Sequence, residues 1–467
     1  MTRKTIAVYG LSGNPSGIHH RKIVESLIPI FDLVIIVPCG PRPEPEKATV
    51  SDIAPLHRAE MTDMTFRGLR KVRVDLDDLE KSVFTRTIDL LERYKEEGEV
   101  WIVVGADLVQ GGGEGKSVIQ QEWKDGKRLW ETARFVVIPR QGYEIDKSDL
   151  PLRHQLFGLV FNGSSTEIRN KAFNHQSLTG FVVPEVESYI ERWGLYRGIP
   201  KQTAILRLNE LKPIVVVDNR NKNAVRMAKK LDRISNFHGT ANQVVVIGGD
   251  GTMFHAIHKL WRLRLPFLGI NAGHRGFLLN DIKSNFSLKL FLEELTLYQS
   301  PLLYVETLGA DNKKKNGLAF NDAWVQAKLG GTAWIEVKLD GKVRIPKLVA
   351  DGILVSTPFG STAYGRAMGA IPVRKTAQNL VLVGSNVFEP LGWSQAHIAN
   401  DSVVEFRNVD PTLNPRKRPI FGFADGDQFQ EVVWMRIRKS NIASVELAFL
   451  PGNDPDDKLT LTQFPKW

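Results

Sequence analysis

Two stretches of this chain carry side chains suited to moving a phosphate group. The first reads IAVYGLSGNPSGIHHRKIVESL over residues 6–27. An apolar run ends at Gly10, small residues including Ser12 follow, and His19 and His20 stand where a helix should begin. Backbone N–H groups in such a turn, together with a helix N-terminus, form an anion site. Adjacent helical positions point apart, so the pair is a poor two-ligand metal site, and one imidazole facing a phosphate is the more natural use. A glycine turn with surface histidines is the plain alternative for this segment alone. FNGSSTEIRNKAF (161–173) then places Ser164, Ser165 and Thr166 at a second expected helix start, with Arg169 one turn in. Hydroxyls and free N–H groups there donate to phosphate, and a guanidinium adds a planar fork. An ordinary helix cap with a surface arginine is the competing reading.

The other stretch is VVVIGGDGTMFHAIHKLW (244–261), a buried strand running through Gly248-Gly249-Asp250-Gly251-Thr252 into a helix. The glycines let backbone approach a ligand closely. Asp250 is a carboxylate at the C-terminal end of a strand, the ligand edge of an open α/β sheet. The segment lacks the spacing and lysine of a P-loop and is no GxGxxG fingerprint. An Asp-Gly turn would suffice for it alone, but three further segments follow in order. They are LGINAGHRGFLLND (268–281), AFNDAW (319–324) with Asn321 and Asp322 side by side, and ADGILVSTPFGSTAYGRAMGAIP (350–372) with Asp351, Thr362 and Tyr364.

The elements that must position these residues alternate. KTIAVY (4–9), DLVIIVP (32–38), VWIVVGA (100–106) and RFVVIP (134–139) read as strands, separated by helical segments at 17–28 and 55–69 and followed by 166–176 and 184–193. Val/Ile runs between helices predict a parallel sheet covered on both faces. The rhythm breaks around 196–210 and restarts with strands at 213–218, 243–248 and 266–271 and helices at 220–234 and 252–263. After about residue 300, short strand-like runs dominate, bounded by DG, GG and PG turns. The reading is an α/β chain with a domain over 1–197, a linker over 198–211 and a second domain over 212–467, α/β over about 212–300 and β-rich over about 301–450. VQGGGEGKS (109–117) reads as a mobile loop.

Composition sets outer limits. A chain of 467 residues predicts about three folding units, and 42% hydrophobic with 24% charged residues excludes wholesale disorder. Lys+Arg 62 against Asp+Glu 52 leaves +10, which suits anionic small molecules and is too mild over this length to argue for nucleic acid. The single cysteine, Cys39, rules out an intrachain disulfide framework and a Cys-based zinc site. No apolar run approaches the ~18 residues of a membrane helix, so a cytoplasmic protein without a membrane partner is expected.

The first pair of motifs resembles the nicotinamide/nicotinate mononucleotide adenylyltransferase family. Its (H/T)-x-G-H element stands here as Gly17-Ile18-His19-His20, which keeps the final histidine, and its ISSTxxR element as Gly163-Ser164-Ser165-Thr166-Glu167-Ile168-Arg169. VVGADL (103–108), Trp123, VVIPRQG (136–142) and VVPEVESYIERWGLY (182–196) are weaker echoes. The resemblance implies a Rossmann-like nucleotidyltransferase domain that transfers AMP from ATP to the mononucleotide phosphate. It implies catalytic His20, with Ser164, Ser165 and Arg169 on the ATP phosphates together with Mg²⁺. Gly105 and Asp107 would line the adenosine side, Gly10, Ser12 and Arg140 would complete the nucleotide site, and Trp123 would stack on the pyridine ring; Lys47 and Arg58 fall near family positions. A first half turned to sensing or scaffolding, or a nucleotidyltransferase acting on another substrate such as phosphopantetheine, is the alternative.

The second set resembles NAD kinase: GGDGT, the G-x-N-x-G-x-x-G-F-L loop, the Asn-Glu pair and the DG…STPTGSTAY segment, in order and spacing. Lipid kinases share a GGDGT element, but Asn321-Asp322 and GSTAY favour NAD kinase over them. Here Asp322 stands for the usual Glu, and Phe359 for the second Thr of TPTG. The resemblance implies phosphoryl transfer to the adenosine ribose 2′-hydroxyl of NAD from ATP or polyphosphate with Mg²⁺, and Asp250 as the base. Asn321 and Asp322 would hold hydroxyls and the amide, Thr362 and Tyr364 would line the adenine and ribose pocket, Gly251 would lie on the donor phosphates, and Asp351 would bind NAD. Because this family builds sites at subunit contacts, a homo-oligomer through the kinase domain is implied.

Overall fold

Strand β1 (Thr5–Leu11) buries both of its faces: Ile6 and Val8 enter one core cluster while Ala7 and Leu11 enter another. That is why the strands of this half read as continuous apolar runs rather than alternating ones. The computed structural model describes residues 3–41, 53–140, 142–143, 145–158, 163–235, 240–273, 276–282, 286–328, 331–409 and 418–463. It divides into two units, Met1–Pro200 and Lys201–Trp467.

In the first unit β1 is followed by β2 (Leu33–Pro38), β3 (Val72–Val74), β4 (Glu99–Gly105), β5 (Arg134–Ile138) and β6 (His154–Leu156). All pairings are parallel, in the order β3-β2-β1-β4-β5-β6. Strand order therefore reverses between β1 and β4, where a doubly wound sheet opens its crevice beyond the strand C-termini. The helices Ile18–Leu27 and Ser165–Phe173 both begin close to that edge in the chain's path. Sequence reading passes over β3 and β6, each of three residues and neither carrying a buried apolar run. The stretch 109–117 is also not an open loop: it winds through a 3-10 turn at Gly112–Glu114 and ends on Ser117, which caps the helix Val118–Glu122. Gly112 is needed there because a Cβ would lie 2.4 Å from the Trp130 ring.

The second unit begins inside the expected linker. Residues 203–206 form β7 (Thr203–Leu206), antiparallel to Leu295–Gly309. Then β8 (Pro213–Val217), β9 (Gln243–Gly248) and β10 (Phe267–Asn271) pair in parallel. β10 pairs parallel with Val432–Phe449, which also runs antiparallel to Leu295–Gly309. The α/β part and the β-rich part thus share one ten-stranded sheet instead of forming two successive bodies. One strand of 18 residues joins them, a long-range pairing that no local pattern announces. A second, six-stranded antiparallel sheet packs on it across a core that includes Ile335, Phe406 and Met435 from one sheet and Val325, Ile353 and Leu380 from the other. Among the described residues no helix is long and apolar enough to cross a membrane.

Candidate functional site

In the first unit a cavity of about 560 Å³ opens at the strand-order reversal. Its lining brings together Ser12 after β1, Gly105 and Asp107 after β4, Arg140 after β5, His19 and His20, and Ser164, Ser165, Thr166 and Arg169. Residues 150 and 155 positions apart are tied to each other here: Ser165 Oγ donates to Pro15 O at 2.9 Å, and Arg169 Nη1 donates to Asn14 O at 2.8 Å. Ser164 is the N-cap of the helix Ser165–Phe173 and accepts from Thr166 N–H at 3.2 Å. Arg58 is buried and donates to Ser12 O at 2.9 Å and Cys39 O at 2.6 Å, shaping the wall from the helix Pro55–Phe66.

The imidazoles are neutral. His20 Nδ1 accepts from Gly17 N–H at 3.0 Å, and burial, then His19 and Arg140, hold its pKa well below the ordinary value. His19 is lowered to about 4, first by burial and then by Arg140. With Nδ1 accepting, His20 carries its proton on Nε2 and presents a donor. Asp107 and Arg140 pair at 3.2 Å across the opposite wall. Gly105 makes that possible, since a Cβ there would sit 2.3 Å from Asp107 Oδ1. The cavity therefore offers a guanidinium, hydroxyls, a helix N-terminus and neutral imidazole donors, a set that receives phosphate oxygens.

Two expected residues fall elsewhere. Trp123 packs half-buried against the core cluster containing Val109 and Ile119 and does not line the cavity. Gly10 is exposed at the end of β1, flanked by the lining residues Tyr9 and Ser12 but not itself a wall. Lys47 lies outside the described residues. Sequence reasoning missed Asn14, which lines the cavity beside residues it had already singled out, Thr166 among them.

In the second unit β9 delivers Asp250 to the first turn of the helix Asp250–Leu260. Its Oδ2 accepts from Phe277 N–H at 2.9 Å and its Oδ1 from Leu278 N–H at 3.0 Å. The carboxylate thereby ties the strand end to the loop after β10. Gly248 has no room for a side chain, a Cβ falling 2.4 Å from Thr252 Oγ1, and Gly251 is exposed on the same turn. A second carboxylate, Asp425, fastens the Asn321-Asp322 bend. It accepts backbone N–H bonds from Phe320 at 2.6 Å, Asn321 at 2.9 Å and Asp322 at 3.1 Å, and meets His258 Nε2 at 2.7 Å.

A cavity of about 350 Å³ lies on the six-stranded sheet, walled by Trp324, Gln326, Asp351, Tyr364, Met368 and Ser385 among others. Trp324 stacks on Phe423 at 4.8 Å and tilts against Tyr364 at 5.3 Å, while Asp351 accepts from Asn386 Nδ2 at 2.6 Å.

Known proteins resemble this unit. Residues 206–288 match the family model of the ATP-NAD kinase N-terminal domain. The chain is 28% identical over 259 residues to the NAD kinase of Rickettsia bellii, covering 56% of this chain and 99% of that protein. It is also 28% identical over 254 residues to the NAD kinase of Rickettsia typhi, covering 54% of this chain and 97% of that one. The second unit carries an NAD kinase domain. Among solved structures, an Archaeoglobus fulgidus NAD kinase in complex with ATP aligns with a TM-score of 0.42 and 20% identity over 55% of this chain and 100% of its own.

Within the NAD kinase domain Asp351 and Tyr364 share the cavity, whereas Thr362 turns its hydroxyl inward to Phe359 O at 3.3 Å and does not line it. Asp322 corrects an expectation as well. It is only 3% exposed, lines neither cavity, and leaves Oδ2 without a hydrogen-bond partner. Burial, and then Asp425, push its pKa up to about 8, so it is an uncharged acid at neutral pH. The carboxyl lies beneath the surface and outside both cavities. Lys375, which no motif marks, is buried beside the Gly360–Thr362 turn and donates to Pro358 O at 3.1 Å.

Among the described residues the implied Mg²⁺ finds no protein cage. No cluster of three or more His, Cys, Asp or Glu suited to a metal exists among the described residues. Asp107 pairs with Arg140, and Asp250, whose oxygens each accept one backbone N–H, belongs to no such cluster. The residues do not fit a protein-held ion, and no step is assigned through one.

Proposed function

We propose that the chain makes and then phosphorylates a pyridine dinucleotide. In the first unit the phosphate of nicotinamide or nicotinate mononucleotide attacks the α-phosphorus of ATP. The new P–O bond forms as the bond to the β-phosphate breaks, and pyrophosphate leaves with the electron pair. A phosphate oxyanion needs no strong base, so the protein's task is to hold two mutually repelling anions and offset growing charge. The observation that carries this reading is the cavity at the strand-order reversal, which gathers His20, Ser164, Ser165 and Arg169 from opposite ends of the unit.

In the second unit the NAD kinase domain transfers the terminal phosphoryl group of ATP or polyphosphate to the 2′-hydroxyl of NAD: the new P–O bond forms as the bond to the next phosphate breaks, and the shortened donor leaves with the electron pair. A ribose hydroxyl is a weak nucleophile at neutral pH, and a positioned carboxylate accepts its proton. Asp250 takes that role: each oxygen accepts one backbone hydrogen bond and keeps a second acceptor site. The similarity to NAD kinases over nearly their whole length supports the kinase reading.

Supplying purified chain with mononucleotide, ATP and Mg²⁺ and resolving the products tests both steps. Both NAD and NADP are expected. NADP from added NAD, with no dinucleotide or pyrophosphate from mononucleotide, would leave the kinase reading standing and refute the first.

A further inference from the structure

We propose that His19 is a second phosphate-contacting imidazole of the first unit, donating from Nε2 to ATP beside His20. The inference rests on reading that cavity as an ATP site.

Two glycines far apart in the chain make room for this ring. A Cβ on Gly17 would lie 2.7 Å from His19 Cε1 and Nδ1, and one on Gly163 would lie 2.5 Å from Cγ and Nδ1. No real side chain tolerates such contacts, so a residue at either position would displace the imidazole. They are also two of the three places where the motifs depart from the family they resemble: Gly17 stands for His or Thr, Gly163 for Ile, and His19 itself for Gly. Space that the usual residues would occupy is filled here by a ring anchored at position 19.

Polarity agrees. The Nδ1 edge of His19 is turned to the glycines, His19 lines the cavity, and its side chain makes no hydrogen bond among the described residues. Nε2 is the polar atom left for a ligand. The ring centroid lies 3.9 Å from that of His20, whose Nδ1 is already used by Gly17 N–H. Two imidazoles this close would repel if both were charged. As neutral rings they offer adjacent N–H donors to neighbouring phosphate oxygens. Arg140, Arg169 and the helix N-terminus at Ser164 supply the positive potential around them.

The test uses the full chain labelled with ¹⁵N-histidine and titrated with MgATP in the absence of mononucleotide, the His19 resonance being assigned by its loss in His19→Gln. A shift of the His19 Nε2 signal saturating with ATP is expected. Pyrophosphate release with mononucleotide present is then compared among variants. His19→Asn, whose amide reaches only toward the Nδ1 position, should lower kcat/KM for ATP about tenfold to a hundredfold, the usual loss for one charge-assisted hydrogen bond. His19→Gln, whose amide nitrogen overlays Nε2, should retain most of it, and KM for the mononucleotide should hold in both. A merely structural ring would make the two variants alike. An unmoved His19 signal, or equal activity in Asn and Gln variants, overturns the proposal. A moving signal without pyrophosphate release leaves the ATP contact intact and refutes adenylyl transfer instead.

Discussion

Single groups in this protein carry opposite protonation demands. Asp250 must be charged to take a proton, and Asp250→Asn should abolish NADP formation from NAD, by about a hundredfold or more in kcat. The same variant should leave dinucleotide synthesis from mononucleotide unchanged. Product analysis on one sample reads both. The amide would also oppose the Phe277 and Leu278 N–H groups with an N–H of its own, so a lower melting temperature of the second unit should accompany the loss. Asp322 is the reverse case. Its folded pKa of about 8 lies above the ordinary value of 3.8, so between these the folded state holds the extra proton. Its contribution to stability is full below pH ~4 and is lost as pH rises through 8. Asp322→Asn, which cannot ionise, should flatten the fall in melting temperature between pH 6 and pH 9. An unchanged slope would show that the buried acid is not what titrates.

Helix ends and turns hold the groups that face the ligands. Ser164 accepts from Thr166 N–H and places Ser165 and Thr166 on the cavity wall. Ser164→Ala should cost about 1 kcal/mol of stability in the first unit, and raise KM for ATP, since both the cap and a wall hydroxyl are lost. Thermal unfolding with pyrophosphate-release kinetics separates the two effects. In the kinase domain the Asp425 turn binds three successive backbone N–H groups and His258. Asp425→Ala leaves those donors buried and unpaired, so several kcal/mol of destabilisation is expected, on the order of 1–3 kcal/mol per orphaned group. The gentler His258→Gln should keep the fold and raise KM for NAD more than KM for ATP, because the Asn321 bend is what it steadies. Equal changes in both constants would refute that assignment.

At the scale of the molecule, each unit has its own sheets and its own hydrophobic clusters. Residues 1–200 and 201–467 expressed separately should each melt cooperatively, the first releasing pyrophosphate from ATP and mononucleotide and the second converting NAD to NADP. Aggregation of either piece with loss of its activity would show that the units depend on one another. If the first unit makes dinucleotide as proposed, covalent joining raises its local concentration at the second site only where the two sites face each other. A chase of labelled NAD, formed in place, against excess unlabelled NAD measures how much of it passes on directly. A homo-oligomer through the kinase domain, proposed from family resemblance, is checked by light scattering of residues 201–467.

The sequence by itself determined the strands and the glycine turns. Buried parallel strands and small-residue loops leave a local signature, because side-chain periodicity and backbone freedom are properties of neighbouring residues. It thereby located β1, β2, β4, β5, β8, β9 and β10, and put His20, Ser164 and Asp250 at the ends of elements, with Arg169 one turn into its helix. Only the tertiary structure decided which of these residues meet. Ser165 reaching Pro15, Asp425 gripping the bend at 320–322, and an 18-residue strand welding two expected parts into one sheet are contacts between distant segments. It also turned Asp322 inward and laid Trp123 against a core cluster, since the side a residue faces depends on what packs against it, which no window of sequence contains.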